Sequence, residues 1–249
     1  MEKSVAGSLL ERRCVRHYEE RNIDEADLGF IREAVRNTPT SYNGQQYSII
    51  EITDQGIKDE LAAISGMRQL AEAPVVFMFL VDYHKITVAA RAKGLDMPPF
   101  YDTADGLVVG VIDASLAMMS AIVAAESRGL GTCPVGYVRT VDPDAICKLL
   151  KLPVEVFPVC ALAMGHPANK PELKPKEPLD LLFFKNVYGV EGMSGKLMEY
   201  DREIVRYHET RSSHASSQDW IGKILSYYVD RASNNVLGAL RKQGFGLNK

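Results

Sequence analysis

Between Leu107 and Ala125 the chain reads LVVGVIDASLAMMSAIVAA, nineteen residues with one charge. A run of this length can cross a bilayer, and it can equally be the central helix of a globular protein. Asp113 lies inside it, and Asp102 and Asp105 come just before. With those carboxylates the run reads as a helix buried at the centre of the protein, over about 104 to 128, stopped by Gly129. Such a helix needs layers around it. The chain has 249 residues, 46% of them hydrophobic and 24% charged, enough for a sizeable core.

The flanking patterns supply those layers. YSIIEIT (47 to 53) alternates and predicts a strand. PVVFMFLVD (74 to 82) and VFPVCALAMG (156 to 165) are continuous apolar runs, suited to strands covered on both faces. A short helix is expected near 2 to 11. Asp24 with Asp27 is a capping-box variant opening a second helix with Leu28, Ile31, Ala34 and Val35 on one face, stopped at Thr38-Pro39. Another helix is expected over 55 to 64. Asp142-Pro143 starts a further one, to about Lys151. Residues 84 to 103 carry weak signals and read as a partly exposed segment. PANKPELKPKEP (167 to 178) has four prolines and three lysines and must be extended. Two last helices are expected over about 194 to 211 and 218 to 242. No repeat or clear linker interrupts this order. It describes a single α+β domain over 1–249, in which the stretch past Gly189 is a structural unit of its own.

Net charge is −3, so no global basic excess calls for nucleic acid. Against that background RRCVRHY (12 to 18) stands out, because Arg12, Arg13 and Arg16 repel one another unless an anion sits among them. Lys170, Lys174 and Lys176 form a second basic segment. The two segments either converge on a phosphate or remain two solvated loops. The loop from Thr38 to Gln45 offers hydroxyls and amides that suit ring heteroatoms and sugar hydroxyls, or ordinary turn chemistry. GLGTCPVGY (129 to 137) follows a helix instead of preceding one, so it is no dinucleotide fingerprint. Its glycines permit close approach to a flat ligand, or simply cap a helix before a strand. The four cysteines, Cys14, Cys133, Cys147 and Cys160, lack metal or dithiol spacing and suit a reducing cytoplasm. The N-terminus lacks the apolar core of a signal peptide. No catalytic triad or metal-spaced His/Cys set is visible, so an enzyme of this sequence would take its chemistry from a cofactor.

Taken in order, these segments resemble the flavin-dependent nitroreductase family, in particular the branch that includes the oxygen-insensitive major nitroreductase and flavin reductase P. Arg12-Arg13-Cys14-Val15-Arg16-His17-Tyr18 matches its H-R-S-I-R-aromatic start. Thr40-Ser41-Tyr42-Asn43-Gly44-Gln45 matches its Ser-rich loop, and Glu126-Ser127-Arg128-Gly129-Leu130-Gly131 its E-S-x-G-L-G. Met164 to Pro178 matches its L-G-W-P-A-D-N-P-x-L-K-P-R-x-P. Tyr200-Asp201, Tyr207, Thr210-Arg211-Ser212-Ser213 and Lys242-Gln243-Gly244-Phe245 match its tail. The resemblance implies a nitroreductase-like α+β fold with a mostly antiparallel central sheet. It implies a homodimer with the long helix at the interface, and a C-terminal part (about 190–249) reaching over the partner.

It also implies FMN as cofactor. The phosphate would be held by Arg12, Arg13, Cys14, Arg16, Lys174 and Lys176. Thr40, Ser41, Asn43 and Gln45 would contact the ring and ribityl chain, with Gln69 nearby. The backbone of Pro134, Val135, Gly136 and Tyr137 would run beside the isoalloxazine. Arg12 and Cys14 replace the family's His and Ser, and Cys14 is the poorer donor. Ser216 and Ser233 replace basic residues that the branch uses for NADPH, while Arg211 remains as a substrate contact. The implied activity is ping-pong: NAD(P)H gives hydride to flavin N5, then a nitroaromatic, quinone or flavin acceptor takes two electrons. Three alternatives stay open: a non-catalytic flavin binder, a member with dehalogenating or dehydrogenating flavin chemistry, and a cofactor-free protein whose basic segments bind an acidic partner.

Overall fold

The apolar runs become four strands in the computed structural model of the chain, which describes residues 4–211 and 216–247. They are β1 (Tyr47–Ile52), β2 (Val75–Asp82), β3 (Gly131–Val135) and β4 (Val156–Gly165). All pairings are antiparallel, in the order β1-β2-β4-β3. β2 and β4 are buried at every position, as their uninterrupted apolar sequences require. Opposite Phe79 and Leu80, β4 carries one extra residue, Val159, which shifts the register.

Helices join these strands in the order α1 (Val5–Leu10), α2 (Glu25–Arg36), α3 (Gln55–Ser65), α4 (Gln69–Glu72), α5 (His84–Ala92), α6 (Ala104–Ser127), α7 (Pro143–Leu149), α8 (Leu179–Leu182), α9 (Met193–Thr210), α10 (Trp220–Ala232) and α11 (Val236–Lys242). The result is α+β, as expected. One face of the sheet is covered by α2, α6 and α11, which bring Ile31, Ala117, Ala121 and Leu240 onto Phe77, Phe79 and Leu162. The other is covered by α3, α4 and α7, with Leu61, Leu70 and Ile146 against Val76, Met78 and Ala161. Cys147 and Cys160 lie in these cores as free thiols, and burial pushes both up to about 11.

The long helix is less enclosed than its composition suggests. Its sheet-facing side is buried, and Gly110 lets it approach β2 so closely that a Cβ there would lie 2.4 Å from Val81 Cγ1. The opposite side leaves Val108, Ile112, Leu116 and Met119 exposed. Thr103 caps its first turn by accepting from Gly106 N, and Gly129, with φ of 79°, ends it.

Other expectations need correction. Asp24 stands at the start of α2, but its side chain makes no capping bond; the amides of Asp27 and Leu28 bond to its carbonyl oxygen. Residues 84 to 103 are partly exposed, as expected, and within them lie α5 and a 3-10 turn at Pro99–Asp102, which pack Ile86, Phe100 and Tyr101 on the core. The helix starting at Pro143 ends at Leu149, and Lys151 takes a left-handed φ of 52°. The single helix expected over 218 to 242 is two, because Asn235 turns out of the helix and caps α11 by accepting from Gly238 N.

The chain divides into two compact units, Met1–Pro171 together with Asn234–Lys249, and Glu172–Ser233. The first holds the sheet and α11. In the second, the Tyr200 ring meets Trp220 edge-on at 5.4 Å. Asp201 Oδ1 accepts from the amides of Trp220 and Ile221 at 2.9 and 3.0 Å, satisfying the free donors that begin α10. Asp201→Ala is expected to cost about 1–2 kcal/mol, the worth of a lost helix cap, read as an earlier change in Trp220 fluorescence on urea titration.

Candidate functional site

The arginine-rich stretch lies along the β3 edge of the sheet. Cys14 forms a parallel bridge with Thr132 and Tyr18 an antiparallel one with Pro167. Val15 N donates to Thr132 O at 2.9 Å, Glu19 N to His166 O at 2.9 Å, and Ala168 N to His17 O at 3.0 Å. Val15 packs directly over Gly131, where a Cβ would come within 2.7 Å of the valine. Beneath the stretch, the Tyr18 hydroxyl lies 2.8 Å from Val15 O and 3.2 Å from Ala163 O. Burial above all pushes that phenol well above its ordinary range, so it stays neutral.

The guanidinium groups are held locally. Arg12 Nη2 donates to Cys14 Sγ at 3.4 Å, and its Nη1 lies 3.8 Å from Glu126 Oε1. Glu126 is buried and accepts from Thr132 Oγ1 at 2.6 Å. Arg13 Nη1 donates to Glu11 O at 2.9 Å. Arg12 Nη1 and Arg13 Nε are buried and have no hydrogen-bond acceptor among the described residues. Arg16 is exposed. Buried cationic donors lacking acceptors are what an anion satisfies, so this strand fits a phosphate-bearing group such as FMN.

Gln69 comes to the same place. It opens α4 with its side chain buried, and its Nε2 lies 3.8 Å from Cys133 Sγ. A hydrogen bond to Cys14, and then burial, push the Cys133 thiol far above its usual range and keep it protonated. The sequence-predicted Cys14 and Gln69, more than fifty positions apart, therefore meet at one thiol. Pro134 and Val135 end the same strand β3, and Gly136 and Tyr137 start a 3-10 turn through Arg139. Arg139 Nη1 donates to Val159 O at 2.9 Å and lies 2.8 Å from where a Cβ on Gly136 would be.

The polar loop is tightly shaped. Tyr42, Asn43 and Gln45 have left-handed φ values of 57°, 53° and 53°, although none is glycine. Gln45 N donates to Thr40 Oγ1 at 3.3 Å, and Thr38 Oγ1 donates to Ser120 Oγ of α6 at 2.8 Å. Ser41 N and Gln46 N donate to the two carboxylate oxygens of Asp113, at 3.0 and 3.3 Å. Asp113 was not among the expected site residues. Its signal was available: a single carboxylate in the middle of an apolar helix must find donors somewhere.

A cleft of about 480 Å³ in the first unit is lined by Arg13, Val15, Glu126, Gly131, Asn169 and Lys170. Another of about 560 Å³, lined by Glu19, Arg21, Lys58 and Glu72 among others, contains none of the expected cofactor residues. Lys174 and Lys176 are exposed in the extended stretch at the start of the second unit, and Arg211 ends α9. Ser212 and Ser213 of the tail motif lie outside the described residues. No group of three or more His, Cys, Asp or Glu among the described residues is placed to hold a metal ion.

Known proteins share this arrangement over nearly the whole chain. An FMN reductase [NAD(P)H] of Bacillus subtilis is 31% identical over 247 residues, which span 98% of this chain and 99% of that protein. A Cr(VI) reductase of a Pseudomonas strain is 32% identical over 232 residues, 93% of this chain and 94% of that one. The solved structure of NfrA2 from B. megaterium superposes with a TM-score of 0.93 at 30% identity, covering 98% of this chain and 99% of that one. Residues 9–166 match the nitroreductase family and residues 174–248 its C-terminal domain. With a fold, an ordered motif set and relatives in agreement along its length, the chain belongs to the nitroreductase family.

Proposed function

We propose that this protein is an FMN-dependent NAD(P)H oxidoreductase. The observation that carries the reading is the arginine strand, in which Arg12 Nη1 and Arg13 Nε are buried without a hydrogen-bond acceptor among the described residues. Its relatives named FMN reductase [NAD(P)H] and Cr(VI) reductase support it. The chemistry supplied by bound FMN is hydride uptake from NAD(P)H and two-electron reduction of a nitroaromatic, quinone or flavin acceptor.

The chain's own residues bind and orient. Arg12, Arg13 and Arg16 hold the phosphate, and Cys14 and Gln69 border it. Thr40, Ser41, Asn43 and Gln45 hydrogen-bond the ring and ribityl chain. The backbone from Pro134 to Tyr137 flanks the ring and leaves one face for stacking of donor and acceptor in turn. Arg211 contacts the nicotinamide donor.

The protein acts as a cytoplasmic homodimer. The exposed stripe Val108, Ile112, Leu116 and Met119 of α6 adjoins an apolar cleft of about 450 Å³ with Val5, Leu9 and Phe30, a surface suited to a second copy. Ile221, Leu225, Tyr228 and Val229 are exposed in the second unit, which supports a C-terminal part that reaches over the partner.

The first test is a visible spectrum of the purified protein, before and after NADPH and then NADH without oxygen. A yellow protein bleached by either is expected. A colourless protein that takes up no added FMN overturns the reading. Arg16→Ala is expected to weaken FMN binding about 10- to 100-fold, the worth of one charge-assisted contact. Its far-UV circular dichroism should not change, because Arg16 is exposed. Unchanged affinity would remove Arg16 from the phosphate site.

A further inference from the structure

Asp113 is fully buried, one turn past Gly110 on the side of α6 that faces the sheet. Burying a carboxylate is unfavourable unless donors replace the lost water. Both donors come from the main chain of one loop: Oδ1 accepts from Ser41 N at 3.0 Å and Oδ2 from Gln46 N at 3.3 Å. Lys85 is the cation whose field reaches this region, but its ammonium is engaged by Tyr47 O. The carboxylate is thus committed to the loop.

What it holds is strained. Between the two bonded amides lie Tyr42, Asn43 and Gln45, all at positive φ. Non-glycine residues occupy that region only where the surroundings force them. Core packing does not do so here, since the Tyr42 side chain is 87% exposed. Gly44, which could adopt positive φ freely, does not: its φ is −77°. The two ends of the loop are pinned from below while its side chains point outward.

We propose that Asp113 is a positioning residue, which holds the 40–46 loop in the shape that presents Ser41, Asn43 and Gln45 to the cofactor. It touches neither FMN nor substrate and acts through the Ser41 and Gln46 amides. This rests on the reading above that the loop contacts FMN.

The test compares the wild-type holoprotein with Asp113→Asn, which keeps the shape but replaces one acceptor oxygen with an NH₂ group. Amide hydrogen exchange over 41–46, the rate of FMN release and the visible flavin band are measured on both. In the wild type the Ser41 and Gln46 amides should be protected; free-peptide exchange there would overturn the proposal, even if the variant did not fold. Asp113→Asn should speed exchange in the loop, release FMN about tenfold faster and shift the flavin band, with far-UV circular dichroism unchanged. Unchanged exchange in a folded variant overturns the role of Asp113. Faster exchange with unchanged FMN release also overturns it as stated. In that case the wild-type loop with and without FMN locates the fault: protection by FMN keeps the loop in the cofactor site and removes only Asp113, whereas indifference to FMN means the loop does not touch the cofactor.

Discussion

Phe245→Ala should lower the melting temperature by about 10 °C, although only four residues of the sequence follow it. Its side chain is fully buried and meets Tyr101 edge-on at 6.3 Å. It belongs to the same core as Leu240, Tyr83 and Phe79, beneath the sheet. The chain around it is bonded into the first unit: Glu155 N donates to Gln243 O at 2.7 Å, Phe245 N to Leu240 O at 3.0 Å, and Gly246 N to Asp102. Emptying a site of this kind costs about 3–5 kcal/mol, and each kilocalorie shifts the melting point of a chain this long by about 2–4 °C. Phe245→Leu keeps most of the volume and should lose far less. Thermal melting followed by circular dichroism measures both. A drop of only a degree or two for the alanine variant would mean that the last segment is not part of the core.

The second large effect joins packing to binding. Gly131→Ala places a methyl group where Val15 already sits, 2.7 Å from its Cβ. β3 is held in register with β4, so the N-terminal strand has to give way. Overpacking of this kind costs about 1–3 kcal/mol in stability. The displaced strand carries Arg12, Arg13 and Arg16, and loss of even one charge-assisted contact corresponds to about tenfold or more in FMN affinity. Pairing the change with Val15→Gly, which removes the Cβ as well as both Cγ atoms of Val15, relieves the clash, so the double variant should regain part of the lost FMN affinity. If Gly131→Ala binds FMN as tightly as the wild type, the arginines are not positioned by their pairing with β3.

Much of this was legible before any coordinates. β4 matches its apolar run residue for residue, and the segment after Asp142 began as its capping pattern indicated. These features depend on residues within a few positions of one another. The misreadings share the opposite character. α5 and the turn after it have weak local signals and are ordered by packing on Tyr83 and Tyr101. Asn234-Asn235 sits in a stretch that reads as helix, yet the chain breaks there, and α11 returns to the core of the first unit.

The site divides in the same way. The ordered motifs identified the family and singled out the arginine cluster and the polar loop as candidate cofactor contacts, because residue types and short spacings carry that information. Tertiary structure decided how they are held. Cys14 meets Thr132 and Cys133 only because strands more than a hundred positions apart lie side by side. The Ser41 and Gln46 amides find Asp113 only because α6 passes beneath the loop. By itself the sequence determined most of the strands and helices, the family and the residue types of the candidate site, since those rest on local patterning. The strained shape of the loop, the seat of the arginine strand and the exposed side of the long helix came from tertiary structure alone, since each depends on which distant backbone groups are brought within hydrogen-bonding or van der Waals reach.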